Sequence, residues 1–345
     1  MKLKLALLLV FAAAPGLAQD EGSEAPDPAK GEKPQPAMTA PLAGKRTLVS
    51  VAQAGSRLLA VGDRGHILAS ADGKAWQQVQ SPVDVMLNRV RFRDDKTGFA
   101  LGHDAAILVT RDGGSTWTVA HFDASGRALY DVAALDEQRA FAIGGYGTFL
   151  DSTDGGATWT AREFPIGELG QHFNAVTRLG DGSLLVVGEK GLLMRSKDQG
   201  ANWELIDSPY TGSFFGVLPH GEKGAIAFGL RGNVFVAEDV SRCAGLAVEG
   251  YDPYSRQTVT DGAQLAKLGW RLLQTPTKES LFGGARGEAA TLLVGVNGTV
   301  VKVDPAATAA TTPRPPDGDT LGEVVFLNGR WVAVGRRGAI DLGAL

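Results

Sequence analysis

A glycine-centred unit recurs along this 345-residue chain and constrains its fold more than any other feature. Each unit has a short apolar run, a glycine, two variable residues and a second β-type run, as in LLAVGDRGHILAS at 58–70. The shared glycines recur at intervals of 40 to 44 residues, with one interval of 66, and are Gly62, Gly102, Gly144, Gly188, Gly229, Gly295 and Gly335. Seven such units predict an all-β fold, a seven-bladed β-propeller of four-stranded antiparallel blades over residues 36–345.

The third unit shows the strand order expected in each blade. Residues 128–135 are predicted to form the inner strand, 139–145 the second and 147–153 the third, and Trp159 opens the outer strand. The seventh unit stops after its third strand. We therefore expect residues 35–42 to supply its outer strand and to close the ring. The alternative is a seventh blade with an open outer edge.

A second motif, Ser/Thr-x-Asp-x-Gly-x-x-Trp, follows the third strand of several units. Full copies are TRDGGSTW (110–117), STDGGATW (152–159) and SKDQGANW (196–203), and SADGKAW (70–76) is one residue shorter. The aspartate can accept hydrogen bonds from backbone N–H groups of its own turn, and the indole can cover the hairpin. We therefore expect a structural role for Asp72, Trp76, Asp112, Trp117, Asp154, Trp159, Asp198 and Trp203.

This motif resembles the Asp-box, or bacterial neuraminidase repeat, so a sialidase-type glycosidase is the alternative function. The resemblance implies three arginines around a carboxylate, a Tyr–Glu pair, an acidic residue and an Arg-Ile-Pro strand. No Arg-Ile-Pro sequence occurs here, and the nearest candidates are Tyr146 and Glu189 on neighbouring turns, with Asp63 and Asp104 on equivalent turns. Solvated turn carboxylates are the simpler interpretation, and we expect a protein that is not an enzyme.

Composition excludes several other classes. The net charge is −4, and no basic run or alternation of aromatic and basic residues indicates nucleic acid binding. The single cysteine, Cys243, cannot form an internal disulfide. Five scattered histidines lack metal-ligand spacing, and the chain has neither a Gly-x-Ser-x-Gly elbow nor a phosphate-binding loop. We expect no nucleic acid, no cofactor and no metal.

The N-terminal residues predict export from the cytoplasm. Lys2 and Lys4 precede a short apolar run, and small residues follow it, so residues 1–18 are predicted to be a signal peptide cleaved after Ala18. The run is too short for a membrane span, which needs about 20 residues. Residues 19–35 are rich in Pro, Glu and Lys and predict a disordered linker. We expect a soluble, monomeric protein in the periplasm, with secretion as the alternative.

The turns opposite the boxes carry most of the candidate binding residues. Two variable residues follow each shared glycine, and five of these positions hold cations, namely Arg64, Lys190, Arg231, Arg336 and Arg337. In a closed ring, blades one and seven are neighbours, so Arg64 and the Arg336–Arg337 pair are expected to form a patch for a carboxylate-bearing segment. Ordinary solvated turns are the alternative. An insertion in blade five, at about 238–269, is a second candidate contact, although loop variation alone also explains it.

The whole unit, VGxxGxIxxSxDGGxTW, resembles the photosystem II stability and assembly factor family. The similarity extends from about residue 45 to the end and is strongest in blades one to four, since blades five to seven lack the box. The resemblance implies a non-catalytic periplasmic scaffold that helps to assemble or stabilise an envelope protein complex. Its implied client is a photosystem subunit or, as in related bacterial propellers, a transporter of the resistance-nodulation-division class.

Overall fold

The structure, a computed structural model, describes residues 33–164, 170–249, 251–314 and 318–345. The predicted signal peptide and most of the predicted linker lie outside these ranges. The described residues form seven antiparallel sheets, one for each glycine-centred unit, and the fold is a seven-bladed β-propeller, as predicted. Within the described ranges, no helix is both long and apolar enough to cross a membrane.

Each blade runs outward from an inner strand that lines the central channel. The inner strands are Leu48–Ala54, Leu87–Phe92, Leu129–Ala134, Phe173–Arg178, Phe214–His220, Leu281–Arg286 and Leu321–Leu327. The second strands are Arg57–Gly62, Gly98–Gly102, Ala140–Gly144, Leu184–Gly188, Gly224–Gly229, Thr291–Gly295 and Arg330–Gly335. The third strands are Ile67–Ser70, Ile107–Thr110, Phe149–Ser152, Leu193–Ser196, Val234–Ala237, Val300–Val303 and Gly338–Gly343. The strand order predicted for the third blade is confirmed.

Outer strands and helical turns complete the blades. The outer strands of blades one to six are Gln77–Val79, Thr118–His121, Thr160–Ala161, Glu204–Ile206, Arg271–Leu273 and Ala310–Thr311. Short 3₁₀ turns join second to third strands at Asp63–Gly65, Gly145–Gly147, Glu189–Gly191, Leu230–Gly232 and Val296–Gly298. Two further 3₁₀ turns, Ala43–Lys45 and Val240–Arg242, and the α-helix Gly262–Leu268 lie outside the repeating pattern.

The core lies between blades. In blades two to six every residue of the second strand is buried, because each second strand is covered on both faces by neighbouring blades. This explains why these runs are continuously apolar rather than alternating. Seven hydrophobic clusters of described residues fill the successive spaces between blades. One of them packs Leu48 and Leu58 of blade one against Val332 and Val334 of blade seven, so side-chain packing closes the ring.

The outer strand predicted for blade seven from residues 35–42 does not form. Blade seven has three strands, and the described residues 33–42 contain no strand. They lie instead along blade one, where Ala37 N donates to Ser81 O (3.0 Å) and Gln78 bonds Met38 O and Ala40 N (both 2.9 Å). Three prolines within this short segment lack the N–H that a strand ladder needs, which accounts for the failed prediction.

Charged side chains inside the channel link the inner strands of several blades. Glu323 of blade seven accepts hydrogen bonds from the backbone N–H of Val51 (3.1 Å) and from the guanidinium groups of Arg89 and Arg91 (both 2.9 Å). Asp131 accepts from Arg91 (3.2 Å) and from the N–H of Val176 on blade four. Both carboxylates are buried and have their hydrogen-bond partners within the protein, so the group links the inner strands of blades one, two, three, four and seven.

The insertion of blade five is an ordered part of the fold. Its residues Gly245–Leu246 pair with the outer strand Glu204–Ile206 and give blade four a fifth strand. The helix Gly262–Leu268 buries Leu265 in the cluster between blades four and five, together with Cys243. The insertion therefore has its own anchors at the rim of the disc.

Candidate functional site

In each Asp-box turn, the aspartate side chain accepts hydrogen bonds from backbone N–H groups of the same turn, as the sequence suggests. Asp154 Oδ1 accepts hydrogen bonds from the N–H groups of Ala157 (3.0 Å) and Thr158 (2.9 Å), and Asp198 bonds Asn202 in the same way (2.8 Å). The hydrogen bonds from Thr158, side chain and backbone, lower the pKa of Asp154 to about 2. Asp72 and Asp112 bond their turns similarly. These carboxylates are committed to their turns.

The tryptophans of the boxes lie between blades. The indole of Trp159 packs edge-on against Phe99 of the preceding blade, with ring centroids 5.9 Å apart, and Trp203 packs against Phe141 at 5.7 Å. Trp117 belongs to the cluster between blades one and two. Trp76, in the shortened box, is partly exposed and donates to Gly73 O (3.1 Å). Each box thus ties one blade to the blade before it.

Blade six contains a turn of the same kind that the sequence motif missed. Asp304 Oδ1 accepts from the N–H groups of Thr308 (2.7 Å) and Ala309 (2.6 Å), and Ala307 takes a left-handed conformation (φ 54°) where a box has glycine. The segment has neither the box glycine nor the tryptophan. Only the aspartate after the third strand could have signalled it.

On the opposite face, the turns between second and third strands present one side chain in a strained backbone conformation. Arg64, Tyr146, Lys190, Arg231 and Asn297 occupy the same turn position and have φ values between 50° and 58°. Residues other than glycine rarely adopt this conformation, and in each turn the next residue is a glycine that does. Strain of this sort is more common at functional positions than elsewhere.

The turns that carry Arg64 and Arg336 both contact Thr47 at the junction of blades one and seven. Thr47 O accepts from Asp63 N in the turn of Arg64 (3.0 Å), and Thr47 Oγ1 donates to Arg336 O in the turn of blade seven (3.4 Å). Arg46 and Lys45 precede Thr47 and are exposed. We call Lys45, Arg46, Arg64, Arg336 and Arg337 the basic patch.

The two arginines of blade seven face different cavities. Arg336 lines the mouth of the central channel, whereas Arg337 lines a groove together with Lys45 and Lys74. Sequence reasoning missed Arg46, and it missed Lys45 and Lys74 because the groove exists only where residues 41–45 cross between blades one and seven.

The remaining two predicted cations lie apart from this patch. Lys190 of blade four sits over the ring of Tyr254 from the insertion, with its ammonium 3.6 Å from the ring centroid. Arg231 of blade five borders a separate cavity formed with residues 272–278. The five cations therefore occupy three places, and only the three on the turns of blades one and seven lie at one junction.

The channel mouth is a pocket of about 480 Å³ on the same face. Each inner strand has a register irregularity near its start, and the bulged residues all line this pocket, namely Val49, Asn88, Tyr130, Asn174, Phe215, Phe282 and Gly322. Bulges re-aim side chains next to binding sites in many sheets. Here the bulges direct both apolar and polar side chains into one cavity. On its apolar side, the rings of Phe215 and Phe282 are in contact.

The residues considered for catalysis are not assembled into a reactive group. Burial raises the pKa of Cys243 to about 12, which keeps the thiol protonated and unreactive. Burial also lowers the pKa of His66. Glu189 and Tyr146 both contact His172 rather than each other, while Asp63 lies 3.9 Å from Arg64. Among the described residues, no cluster of three or more His, Cys, Asp or Glu side chains could hold a metal ion.

Comparison with known proteins agrees with this architecture. The profile of the photosynthesis system II assembly factor YCF48 family matches residues 68–128 and 123–243, which together span half of the chain. The chain belongs to this family. The resemblance indicated by the repeats is thereby confirmed, and the profile covers the blades in which the boxes are complete.

Individual members of the family show the same relationship. Photosystem II assembly protein Ycf48 of Thermosynechococcus vestitus is 32% identical over 199 residues, which are 55% of this chain and 53% of that protein. The chain thus spans about half the length of the curated relative that it matches.

Solved structures share the fold over nearly the full chain. A structure of YCF48 bound to D1 peptide superposes with a TM-score of 0.62 at 16% identity, covering 90% of this chain and 96% of the other. YCF48 from Cyanidioschyzon merolae gives 0.63 at 15% identity, with 87% and 96% covered. The WD40 propeller domain of Doa1 gives 0.58 at 10% identity, with 86% and 92% covered. At these identities the comparisons establish the propeller fold.

Proposed function

We propose that this protein is a non-catalytic assembly factor that binds a segment of a photosystem membrane protein in the periplasm. The observation that carries the proposal is the basic patch at the junction of blades one and seven. All five of its side chains are exposed, and in the described structure only Arg64 has a carboxylate within ion-pair distance, Asp63 at 3.9 Å. On a chain with a net charge of −4, such a patch attracts carboxylates.

Membership of the family supports the assembly role, and the structural neighbour bound to a D1 peptide supports a photosystem client. The absence of a reactive group among the candidate residues supports a binding function rather than turnover. The channel mouth beside Arg336 offers apolar surface next to the cations. A client segment with carboxylates and an apolar residue fits this combination.

Binding of a fluorescent D1 peptide tests the proposal. Arg336→Glu/Arg337→Glu should weaken binding by at least about tenfold, because the reversed charges repel the carboxylates of the peptide. Affinity of the unaltered protein should fall with salt, since the Debye length shrinks from about 10 Å at 0.1 M to about 3 Å at 1 M. Arg242→Glu/Lys267→Glu makes the same charge change at two exposed positions of the insertion and is the matched control.

Equal weakening by both double variants would show that net charge, not the patch, governs binding. Failure of the unaltered protein to bind the D1 peptide would remove the photosystem client. Affinity capture from the cell envelope would then identify the client. Recovery of a resistance-nodulation-division transporter would assign the protein to the transporter complex. Turnover of a sialoside reporter would instead replace the assembly role with the glycosidase.

The periplasmic location rests on residues 1–18, which lie outside the described residues. Fractionation of cells that express the full chain should recover a processed protein in the periplasm. Deletion of residues 2–18 should leave the protein in the cytoplasm. An unprocessed full-length chain in the cytoplasm would contradict the proposed location.

A further inference from the structure

A second surface on the channel-mouth face has interface chemistry that the basic patch does not explain. Its members are Arg127, Tyr146, His172, Lys190 and Tyr254, which we call the aromatic ridge. Tyr146 is 54% exposed and Tyr254 is 78% exposed. Among the large apolar side chains that the described structure exposes, these two are the aromatic ones. Exposed aromatic residues next to cations are typical of interface hot spots.

The ridge is held together by contacts between rings and cations. The guanidinium of Arg127 lies 4.7 Å from the ring centroid of Tyr146 and donates to Tyr146 O (3.1 Å). The ring of His172 lies 4.5 Å from that of Tyr146. Lys190 packs on Tyr254 and donates to its hydroxyl. These side chains are therefore already ordered, which lowers the entropic cost of binding.

Anchors on both sides hold Tyr254 in place on the insertion. Tyr251 is buried in the cluster between blades three and four. Arg256 forms an ion pair with Asp207 and donates to Ser208 O (2.8 Å). The insertion thus carries an exposed ring from the rim of the disc to the turn of Lys190. Mere tolerance of a longer loop does not account for this arrangement.

The Tyr146–His172 part of the ridge reaches the channel mouth. His172 contacts Tyr130, which lines the channel pocket, with ring centroids 5.8 Å apart. Glu189, next to Lys190, lies 3.7 Å from the imidazole of His172. A bound segment could therefore extend outward from the channel across blades three and four.

We propose that the aromatic ridge binds an acidic peptide segment with an aromatic residue between its carboxylates. Neither Arg127 nor Lys190 forms an ion pair with a carboxylate in the described structure, and both carry donors without acceptors. Carboxylates satisfy these donors, and an aromatic side chain stacks on the exposed tyrosines. A neutral glycan could stack on the rings but would leave both positive charges unpaired. The inference rests on the proposed function in so far as the segment belongs to a protein client.

Three short fluorescein-labelled peptides test this inference by fluorescence polarisation. The first contains Asp-Trp-Glu in a Gly/Ser sequence, the second Asn-Trp-Gln and the third Asp-Ala-Glu. We expect the first to bind most tightly. Tyr146→Gly/Tyr254→Ala should weaken its binding by about tenfold, since both ring contacts are lost. Tyr146→Gly relieves the strained backbone conformation at this position, and Tyr254 is highly exposed, so this variant should stay folded.

Asn297→Gly is the matched control, because it makes the same change at the same turn position of blade six. It should bind the first peptide like the unaltered protein. Equal affinity for the first and second peptides, no binding of the first peptide, or no effect of the ridge substitutions would each overturn the inference. Tighter binding of maltohexaose than of the first peptide would assign the ridge to glycans.

These outcomes separate the ridge from the proposed function. The D1 peptide tests the client and the basic patch, whereas the effect of the ridge variant on the designed peptides tests the chemistry of the ridge. Loss of D1 binding in Arg336→Glu/Arg337→Glu with no effect of the ridge variant on the designed peptide would keep the proposed function and reject the ridge. Unchanged D1 binding in Arg336→Glu/Arg337→Glu, together with weaker binding of the designed peptide by the ridge variant, would keep the ridge and reject the basic patch.

Discussion

Asp154 illustrates how a single residue orders one corner of a blade. Its carboxylate accepts two backbone hydrogen bonds and a third from the hydroxyl of Thr158, and Ser152 also donates to it (2.9 Å). All of these bonds favour the charged form. Asp154 and its counterparts therefore link the stability of the turns to pH.

Acid should destabilise the protein through these carboxylates. In the folded state the pKa of Asp154 and of Asp198 is about 2, below the ordinary value of 3.8. Their stabilisation is therefore present above about pH 4 and is lost as the pH falls toward about 2. Asp154→Asn/Asp198→Asn should lower the melting temperature at pH 7. The difference in melting temperature between this variant and the unaltered protein should become smaller as the pH falls from 4 to 2. Thermal melts followed by circular dichroism measure this, and parallel curves would refute it.

Removal of a box tryptophan should loosen the contact between two blades. Trp159→Ala should lower the free energy of unfolding by about 3–5 kcal/mol, because removal of the buried indole leaves a cavity against Phe99. Trp76→Ala is the control and should cost less, since Trp76 is partly exposed. Urea denaturation gives both values. A similar cost for the two substitutions would show that burial between blades is not the main contribution.

At the scale of the element, the turns between second and third strands place side chains at positions whose backbone conformation is unfavourable for residues other than glycine. The backbone at Arg231 (φ 58°) is one that glycine adopts without strain and that other residues adopt at a cost. The same holds for Tyr146 and Lys190, which belong to the aromatic ridge, and for Arg64 in the basic patch. Three of the strained positions thus belong to the proposed surfaces, whereas the other four members of the basic patch do not have this backbone conformation.

Arg231→Gly should give a more stable protein than Arg231→Ala, by about 1 kcal/mol, because only glycine relieves the left-handed strain. Both substitutions remove the same charge and side chain, so the comparison isolates the backbone. Chemical denaturation of the two variants under one set of conditions measures the difference. Equal stability would show that the turn adapts to any residue.

At the scale of the whole molecule, ring closure depends on packing and not on a shared strand. Blade seven has three strands, and residues 41–45 cross the junction between blades one and seven after the residues before them have followed blade one. Ala43 is buried in the cluster that joins these blades, and the backbone of Gly338 lies close to that of Gly44. We call residues 41–45 the wedge, because they lie between the first and the last blade of the ring.

Truncation tests the role of this wedge. Deletion of residues 19–44 should lower the melting temperature strongly, because it uncovers the apolar contact between blades one and seven. Deletion of residues 19–32 ends before the described segment and should change the melting temperature little. Equal melting temperatures for the two truncations would mean that the ring closes without the wedge.

The spacing of glycines was sufficient to predict seven blades and the strand order of the third, because the fold repeats one local pattern. Features outside the repeated pattern could not be predicted. The turn of Asp304 lacks the residues that mark a box, and the approach of Tyr254 to Lys190 depends on how the insertion folds back. The groove of Arg337 and Lys74 arises only where the wedge passes. The prolines of residues 33–42, by contrast, were visible in the sequence and argued against a strand.

The strained arginines also have a consequence for how the gene can change. Every arginine codon becomes a glycine codon by one nucleotide substitution, so Arg64 and Arg231 are each a single mutation away from the residue that their backbone prefers. A lineage that made no use of these side chains would gain the glycine readily and keep it for its stability. In a mutational scan selected only for folding, glycine should therefore be enriched at these two codons, and under selection for client binding it should be depleted at Arg64.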